Sequence, residues 1–413
     1  MGRAPGIALV GTLDTKGAEI AYVRDRLLEL GTQPVVIDSG ILGEPGCAAD
    51  VTREEVARAG GQRLDDVRRA RSRGAAVELM LEGVRATCVR LYADGRVAGV
   101  LCLGGAEGAL LGAAAMHALP VGVPKLIVSP SASGRRSFGP FVGEADVTVM
   151  HSVIDILGLN PVARAIFDNA AAAVAGMVRD AGRPVTGLGE RCVGVTMLGQ
   201  TTPGVMRVRE VLVKAGQEPV IFHANGVGGP AMEQLIDSGA LGGVIDYTLS
   251  ELANSLLDGI HATGPERLRV AGRRGLPQVV VPGCVDFFNQ GPRSELPERY
   301  RQRKTYFHNP VATLVRLSAE EGAQLGRLVA ERLAESRGPI RVVVPTRGFS
   351  LADAEGGDLW DPDADRAFVD SLRDALRPDI PFEEVDAHVD DPDFADLVAD
   401  RYLTLLEEPA HAG

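Results

Sequence analysis

One order of elements occurs twice in this chain, and that repetition limits its possible folds more than any other feature. The first pass opens with an apolar run, Gly6-Ile-Ala-Leu-Val10, and a polar turn, Gly11-Thr-Leu-Asp-Thr-Lys-Gly17. A helix with apolar positions at Ile20, Val23, Leu27 and Leu30 follows and stops at Gly31, ahead of a second strand, Pro34-Val-Val-Ile-Asp38. The second pass opens with Val193-Gly-Val-Thr-Met-Leu198 and the turn Gly199-Gln-Thr-Thr-Pro203. A helix from Val205 to Ala215 stops at Gly216, and Pro219-Val-Ile-Phe-His223 is again a strand. Further on, Val97 to Leu103 matches Gly242 to Asp246, Pro124 to Val128 matches Pro277 to Val281, and Asp146 to His151 matches Lys304 to His308. Each of these last strands leads toward a long helix, Pro161 to Val178 and Ala319 to Glu335.

Short apolar strands alternating with amphipathic helices indicate parallel sheets covered on both faces. The expected fold is therefore α/β, with two similar Rossmann-like parallel-sheet domains arising from an internal duplication. A chain of 413 residues suits two domains. The boundary is expected in the Gly-containing stretch Asp180 to Gly189, giving domains 1–185 and 190–413. Arg341 to Pro345 and Phe382 to Asp386 would add strands to the second sheet, and a closing helix is expected from Pro392 to Leu406.

Charge and cysteine usage remove several classes of function. The net charge of −12 disfavours nucleic acid and anionic membranes as partners, since both need a basic face. The five cysteines are scattered and form no CxxC pair, which excludes a disulfide framework or a zinc site. The apolar start is cut short by Asp14 and Lys16, and the most apolar segment, Ala109 to Pro124, is broken by His117, Pro120 and Gly122. A cytoplasmic protein is expected.

In open parallel sheets, ligands collect at the carboxyl ends of the strands. The polar and glycine-rich clusters of this chain fall there. They offer a cofactor Thr12, Asp14, Lys16, Gly104, Gly105, Ser129, Ser131, Ser133 and Gly134 in the first domain. In the second domain they offer Thr201, Thr202, Asn225, Gly228, Gly229 and Asn309. No GxxxxGK[ST] is present, and no GxGxxG follows the first strand. A phosphate would have to be held by other backbone N–H groups, by hydroxyls and by Lys16 or Lys125. The ordinary turn and cap chemistry of Gly and Ser explains any single cluster as well.

Taken in order, these segments resemble the Tm-1-like ATP-binding family (UPF0261), bacterial relatives of the amino-terminal region of the tomato mosaic virus resistance protein. The resemblance is carried by Gly11 to Gly17, Leu119 to Lys125, Ser129, Ser133-Gly134, Ser152 to Asp155 and Gly158 to Asn160. It continues through Thr201 to Pro203, Phe222 to Ala224, Gly228-Gly229, Glu251 to Ala253, Val281 to Asp286, His308 to Pro310, Arg347-Gly348 and Asp386 to His388. It implies a two-subdomain α/β homodimer that binds ATP with Mg2+. It also implies a TIM-barrel partner of the phosphoenolpyruvate-mutase type. Glu107 and His151 depart from the family pattern, at a loop usually richer in Gly and Ser and at a position where Tyr is common.

Candidate chemistry gathers in the second domain. Cys284 follows a buried-type strand, with Asp286 two residues on and His308 at the end of the next strand, so a Cys/His/Asp nucleophilic group is one reading. A packed, inert cysteine is the other. Asp14, Asp246, Glu251 and Asp286 are the carboxylates suited to Mg2+. Asp386-Ala-His388-Val-Asp390, read as extended chain, puts three polar groups on one face and makes His388 a candidate base. Asp38 and His223 end equivalent strands and read as local caps, and His261 carries no signal. The leading expectation is an ATP-binding enzyme acting on a small carboxylate-type metabolite at an inter-domain cleft. The alternatives are a C–C bond-cleaving hydrolase or lyase using Cys284, His308 and Asp286, and a non-catalytic ligand- or partner-binding protein.

Overall fold

The computed structural model describes residues 5–132, 139–180, 189 and 191–407. The chain divides into two units, Met1–Thr186 and Gly187–Gly413.

Unit 1 runs β1 (Gly6–Gly11), α1 (Leu13–Glu29), β2 (Gln33–Asp38), α2 (Arg53–Ala59), α3 (Leu64–Arg68), α4 (Arg73–Ala93), β3 (Gly99–Leu103) and α5 (Ala106–His117). It continues with β4 (Lys125–Ser129), α6 (Gly139–Val142), β5 (Thr148–His151) and α7 (Pro161–Asp180). All five strands are parallel, in the order β2-β1-β3-β4-β5. Side chains alternate across a strand, so β1 feeds two cores. Ile7 and Leu9 pack with Ile20, Val23 and Phe167 from α1 and α7, while Ala8 and Val10 pack with Val84, Leu91 and Met116 from α4 and α5.

Unit 2 begins in the same way. It runs β6 (Cys192–Met197), α8 (Thr202–Lys214), β7 (Glu218–His223), α9 (Gly228–Asp237), β8 (Gly243–Thr248), α10 (Ser250–Leu256), α11 (Val270–Arg273) and β9 (Gln278–Gly283). Next come β10 (Phe287–Gln290), β11 (Thr305–Asn309), β12 (Ala312–Arg316), α12 (Ala319–Leu333), β13 (Ile340–Pro345), α13 (Pro362–Ala375), β14 (Phe382–Val385) and α14 (Pro392–Glu407). The large sheet is parallel, in the order β7-β6-β8-β9-β13-β14, so its first four strands repeat the order of unit 1. As expected, Arg341 to Pro345 and Phe382 to Val385 extend this sheet and a helix closes the chain.

One correspondence read from the sequence is corrected. Lys304 to His308 does not play the part of β5. It lies in a separate antiparallel sheet, β10-β12-β11, and β13 pairs with β9 instead. The physical reason lies in the pairing. Phe287 to Gln290 and Thr305 to Asn309 both pair with the fully buried β12, whereas β11 is half-exposed and has no apolar run to bury on two faces.

Candidate functional site

The strand order of unit 1 reverses between β1 and β3, and ligands of doubly wound sheets sit outside the strand ends at such a point. A cavity of about 600 Å³ opens there. Three helix-capping residues line it: Thr12 ahead of α1, Ser72 ahead of α4 and Gly105 ahead of α5. Each helix turns its positive amino end toward the same space. Gly105 has no side chain to satisfy the first N–H groups of α5, and a Cβ placed on it would meet nothing within 4 Å. Ile41, Val77 and Leu111 supply an apolar part of the lining.

The charged residues of the lining are already tied into the structure. The Asp14 carboxylate accepts from the backbone N–H groups of Ile41 (3.2 Å), Leu42 (3.1 Å) and Gly43 (3.3 Å), so it shapes the loop after β2. The backbone of α1 is non-helical at Lys16, whose ammonium donates to the Ile156 carbonyl. Arg68 donates to the Ile41 carbonyl at 2.8 Å. Beneath them Asp38 clamps the strand end, accepting from Leu13 N–H (3.1 Å), Gly40 N–H (2.8 Å) and the buried Arg53 guanidinium (2.8 Å). The Asp38 cap was legible in sequence. Ser39 is different: it lines the cavity, it is fully buried, and its hydroxyl has no hydrogen-bond partner among the described residues. A buried orphan hydroxyl costs about 1–3 kcal/mol unless a partner arrives.

Of the first-domain candidates, Thr12, Asp14, Lys16 and Gly105 therefore share one cavity, and Glu107 joins them. Gly104 does not: a Cβ there would lie 2.5 Å from the Gly108 backbone, so this glycine permits the close packing of α5 on β3. Ser129 is buried and its hydroxyl accepts from Ser131 N–H at 3.2 Å, a local turn. Ser133 and Gly134 lie outside the described residues. Lys125 stands at the amino end of β4, the wrong edge for this site, where it is buried and bonds Asp146 (2.5 Å) and the Pro120 carbonyl (2.8 Å). Burial pushes its pKa down, against the pull of Asp146.

In unit 2 the candidates at the equivalent switch between β6 and β8 bond within the protein. Thr201 is fully buried, shares a hydrogen bond with Thr248 (2.8 Å) and donates to the Leu198 carbonyl; Thr202 donates to the same carbonyl. Asp246 and Glu251, read as metal ligands, are instead the counterions of Arg267. That guanidinium is completely buried, donates to both Asp246 oxygens and lies 2.6 Å from Glu251. Burial opposes its charge, but Asp246, Glu251 and Glu233 outweigh that penalty and hold it well above its ordinary value. Burial carries Glu233 the other way for a carboxyl, up to about 7. Glu251 also accepts from Gly226 (2.9 Å) and Gly229 (3.1 Å) N–H. Gly229 is a packing glycine: a Cβ there would sit 1.9 Å from Glu251 and 2.3 Å from Arg267. Gly228 is another, with the His223 carbonyl 2.1 Å from its virtual Cβ. Among the described residues, no group of three or more His, Cys, Asp or Glu is disposed to hold a metal ion.

Cys284 follows β9 in the left-handed region, at φ 56°, an uncommon place for a residue with a Cβ. It is fully buried, its N–H donates to the Phe349 carbonyl at 2.7 Å, and burial followed by Asp286 pushes its thiol well above the ordinary value. Such a thiol is protonated at neutral pH and inert. His308 is exposed and belongs to the antiparallel sheet, not to the strand next to β9. Asp286 is buried and accepts from the Ser350 hydroxyl at 2.8 Å; burial raises its pKa, with Arg316 opposing. His388 shares a hydrogen bond with the Ser350 carbonyl (2.9 Å), and its Nδ1 accepts from Asp390 N–H (3.2 Å), so both ring nitrogens are engaged. The segment around it is not extended, because β14 ends at Val385 and the chain turns. Asp386 consequently pairs with Arg347 at the surface while Asp390 turns to the Gly204 N–H. Asn225 and Asn309 each cap their own loop, through Val227 and Val311 N–H.

Residues 5–183 match the model of the uncharacterised protein family UPF0261, N-terminal domain, and residues 190–406 match its C-terminal domain. The chain is 37% identical to a UPF0261 protein of Clostridium tetani, over 97% of this chain and 99% of that one. It is 39% identical to a UPF0261 protein of Rhizobium meliloti, over 96% and 98%. The ToMV susceptible protein tm-1(GCR26) of Solanum lycopersicum is 31% identical over 99% of this chain and 57% of its own length.

Proposed function

The chain belongs to the UPF0261 family, and on that premise we propose that it binds a nucleotide, ATP, in the unit 1 cavity and acts on a small carboxylate-type metabolite. The observation that carries this reading is the convergence of three helix amino ends on one space beside Lys16 and Arg68. Each amino end favours an anion by about 0.3–1 kcal/mol, and together they suit a chain of phosphates without a Walker loop. The Ser39 hydroxyl gains a partner when a polar ligand enters. Ile41, Val77 and Leu111 suit a base. Asp246 and Glu251 do not fit Mg2+, because Arg267 already neutralises them, so no metal enters the reading there. The scattered cysteines, with no CxxC pair among them, agree with a reducing, cytoplasmic setting.

The C–C cleavage reading gains no support from the placement of Cys284 and His308. A thermal-shift titration tests the nucleotide. A ligand at one hundred times its Kd stabilises by about 2.7 kcal/mol, so ATP should raise the melting temperature clearly. Gly105→Val should abolish the shift without lowering the melting temperature, since its side chain meets cavity and not protein. An unchanged melting curve at millimolar ATP, or an equal shift in Gly105→Val, would overturn the proposal.

A further inference from the structure

Packing leaves one residue of the unit 1 cavity unexplained, Ser39. Its backbone is fixed: the N–H donates to the Gly11 carbonyl at 2.9 Å, which carries the pairing of β2 with β1 one residue past Asp38. Asp38 itself spends both carboxylate oxygens inside the protein, on Leu13 N–H, Gly40 N–H and Arg53. The Ser39 side chain lines the cavity at 0% exposure, and its hydroxyl finds no partner among the described residues. The other hydroxyls of the lining behave differently. Thr12 shares a hydrogen bond with Thr15 (2.7 Å), and Ser72 accepts from Ala75 N–H (3.1 Å). A buried hydroxyl without a partner weakens a fold, and alanine would fill the same place without that cost.

Position indicates which partner the hydroxyl awaits. The strand order β2-β1-β3 puts the end of β2 one strand, about 4.8 Å, from Thr12 at the end of β1. It lies two strands, about 10 Å, from Gly105 at the end of β3. Phosphates belong over the amino ends of α1 and α5, where backbone N–H groups and helix dipoles face them. One strand to the side is the step from a nucleotide's phosphate to its sugar. A sugar hydroxyl, like that of serine, both donates and accepts, so the two satisfy each other. In doubly wound sheets that hold dinucleotides, an acidic residue after the second strand reads the ribose. Here the acidic residue is clamped, and the unspent group beside it is Ser39. Ile41, two residues further on, continues the lining with apolar surface for a base.

We propose that Ser39 is a specificity-determining residue that bonds a ribose hydroxyl of the nucleotide, so that the cavity selects ribonucleotides over their deoxy forms. This rests on the proposed nucleotide site and gives it an orientation: phosphates toward Gly105, sugar at the end of β2, base against Ile41. A sugar lacking that hydroxyl leaves the buried serine unpaired, and sites built around such a bond reject the analogue that cannot make it.

Calorimetric titration of the full chain with ATP, 2′-deoxy-ATP and 3′-deoxy-ATP, repeated on Ser39→Ala, tests the assignment. One of the two deoxy forms should bind wild type about tenfold more weakly than ATP. Ser39→Ala should bind ATP about as weakly as wild type binds that deoxy form, and should no longer tell the two apart. The unliganded variant should melt at or above the wild-type temperature, because it loses a hydroxyl that the protein does not bond. A merely structural serine would give the reverse, so a lower melting temperature overturns the proposal. Equal affinity of wild type for all three nucleotides, or discrimination that survives in Ser39→Ala, overturns the role of Ser39 and leaves the nucleotide site standing. Failure of wild type to bind any of the three overturns both readings.

Discussion

Replacing Arg267 with Met should be among the most damaging single changes in unit 2. The substitution nearly keeps side-chain volume but strands Asp246 and Glu251, which are 2% and 0% exposed, together with Glu233 at 7%. Removing one partner of a buried ion pair costs about 3–5 kcal/mol, because the remaining charge is left without compensation. For a unit of this size a kcal/mol moves the melting temperature by about 2–4 °C, so the expected drop is roughly 6–20 °C. The loss should depend on pH with a definite sign. Burial already raises Glu233 to about 7 against the pull of Arg267, so without the guanidinium this carboxyl holds its proton in the folded state well above its unfolded value. Stability is then retained at low pH and lost as pH rises through the shifted value. Calorimetry of the full chain at pH 5 and pH 8, following the transition of unit 2, measures both effects. Adding Asp246→Asn and Glu251→Gln to Arg267→Met should recover part of the loss, since neutral amides replace stranded charges. A drop under about 2 °C, or one equal at both pH values, would refute the reasoning.

Arg316, 4% exposed, sits among Asp286, Asp353 and Asp365, and burial raises all three carboxyls. Folded carboxyls raised above their unfolded values add stability that disappears as pH rises, by on the order of 1.4 kcal/mol per pH unit for each proton. Urea unfolding between pH 5 and 8 should show that slope, and Asp353→Asn should flatten it. Thiol titration of the native chain should find at most Cys47 reacting readily, because Cys88, Cys102, Cys192 and Cys284 are buried; rapid labelling of Cys284 would contradict its inert placement. Lys16→Ala should cut ATP affinity by about tenfold or more, read by calorimetric titration, since one charge-assisted contact is worth about 1.5–3 kcal/mol.

Strands β1 to β4, β6, β8 and β9 were legible because each is a short, largely buried apolar run near glycine or proline, whereas the half-exposed edge strand β7 was legible from its place in the repeat. The β11 assignment failed for the opposite reason. An edge strand with exposed Phe307 and His308 has the length of a sheet strand but not its burial, and nothing local shows which strand it will join. The anion-facing part of the cavity was half legible. Thr12, Asp14, Lys16 and Gly105 follow strands directly, whereas Arg68 and Ser72 arrive on the connection between β2 and β3, whose course only the fold decides. Arg267 could not be picked out, since its partners at 233, 246 and 251 share no period with it.

The antiparallel insertion between β9 and β13 bears on how the chain is made. Unit 1 takes all its strands before residue 152, so its sheet can close while the ribosome is still producing unit 2. In unit 2, β9 ends at Gly283 but its outer neighbour β13 begins only at Ile340. Until that strand emerges, one edge of β9 has unpaired backbone N–H and C=O groups, the kind of surface that recruits the wrong chain. The segment 284–339 thus sets a waiting period during synthesis, and a stall or truncation within it should yield a folded first unit joined to an adhesive second one.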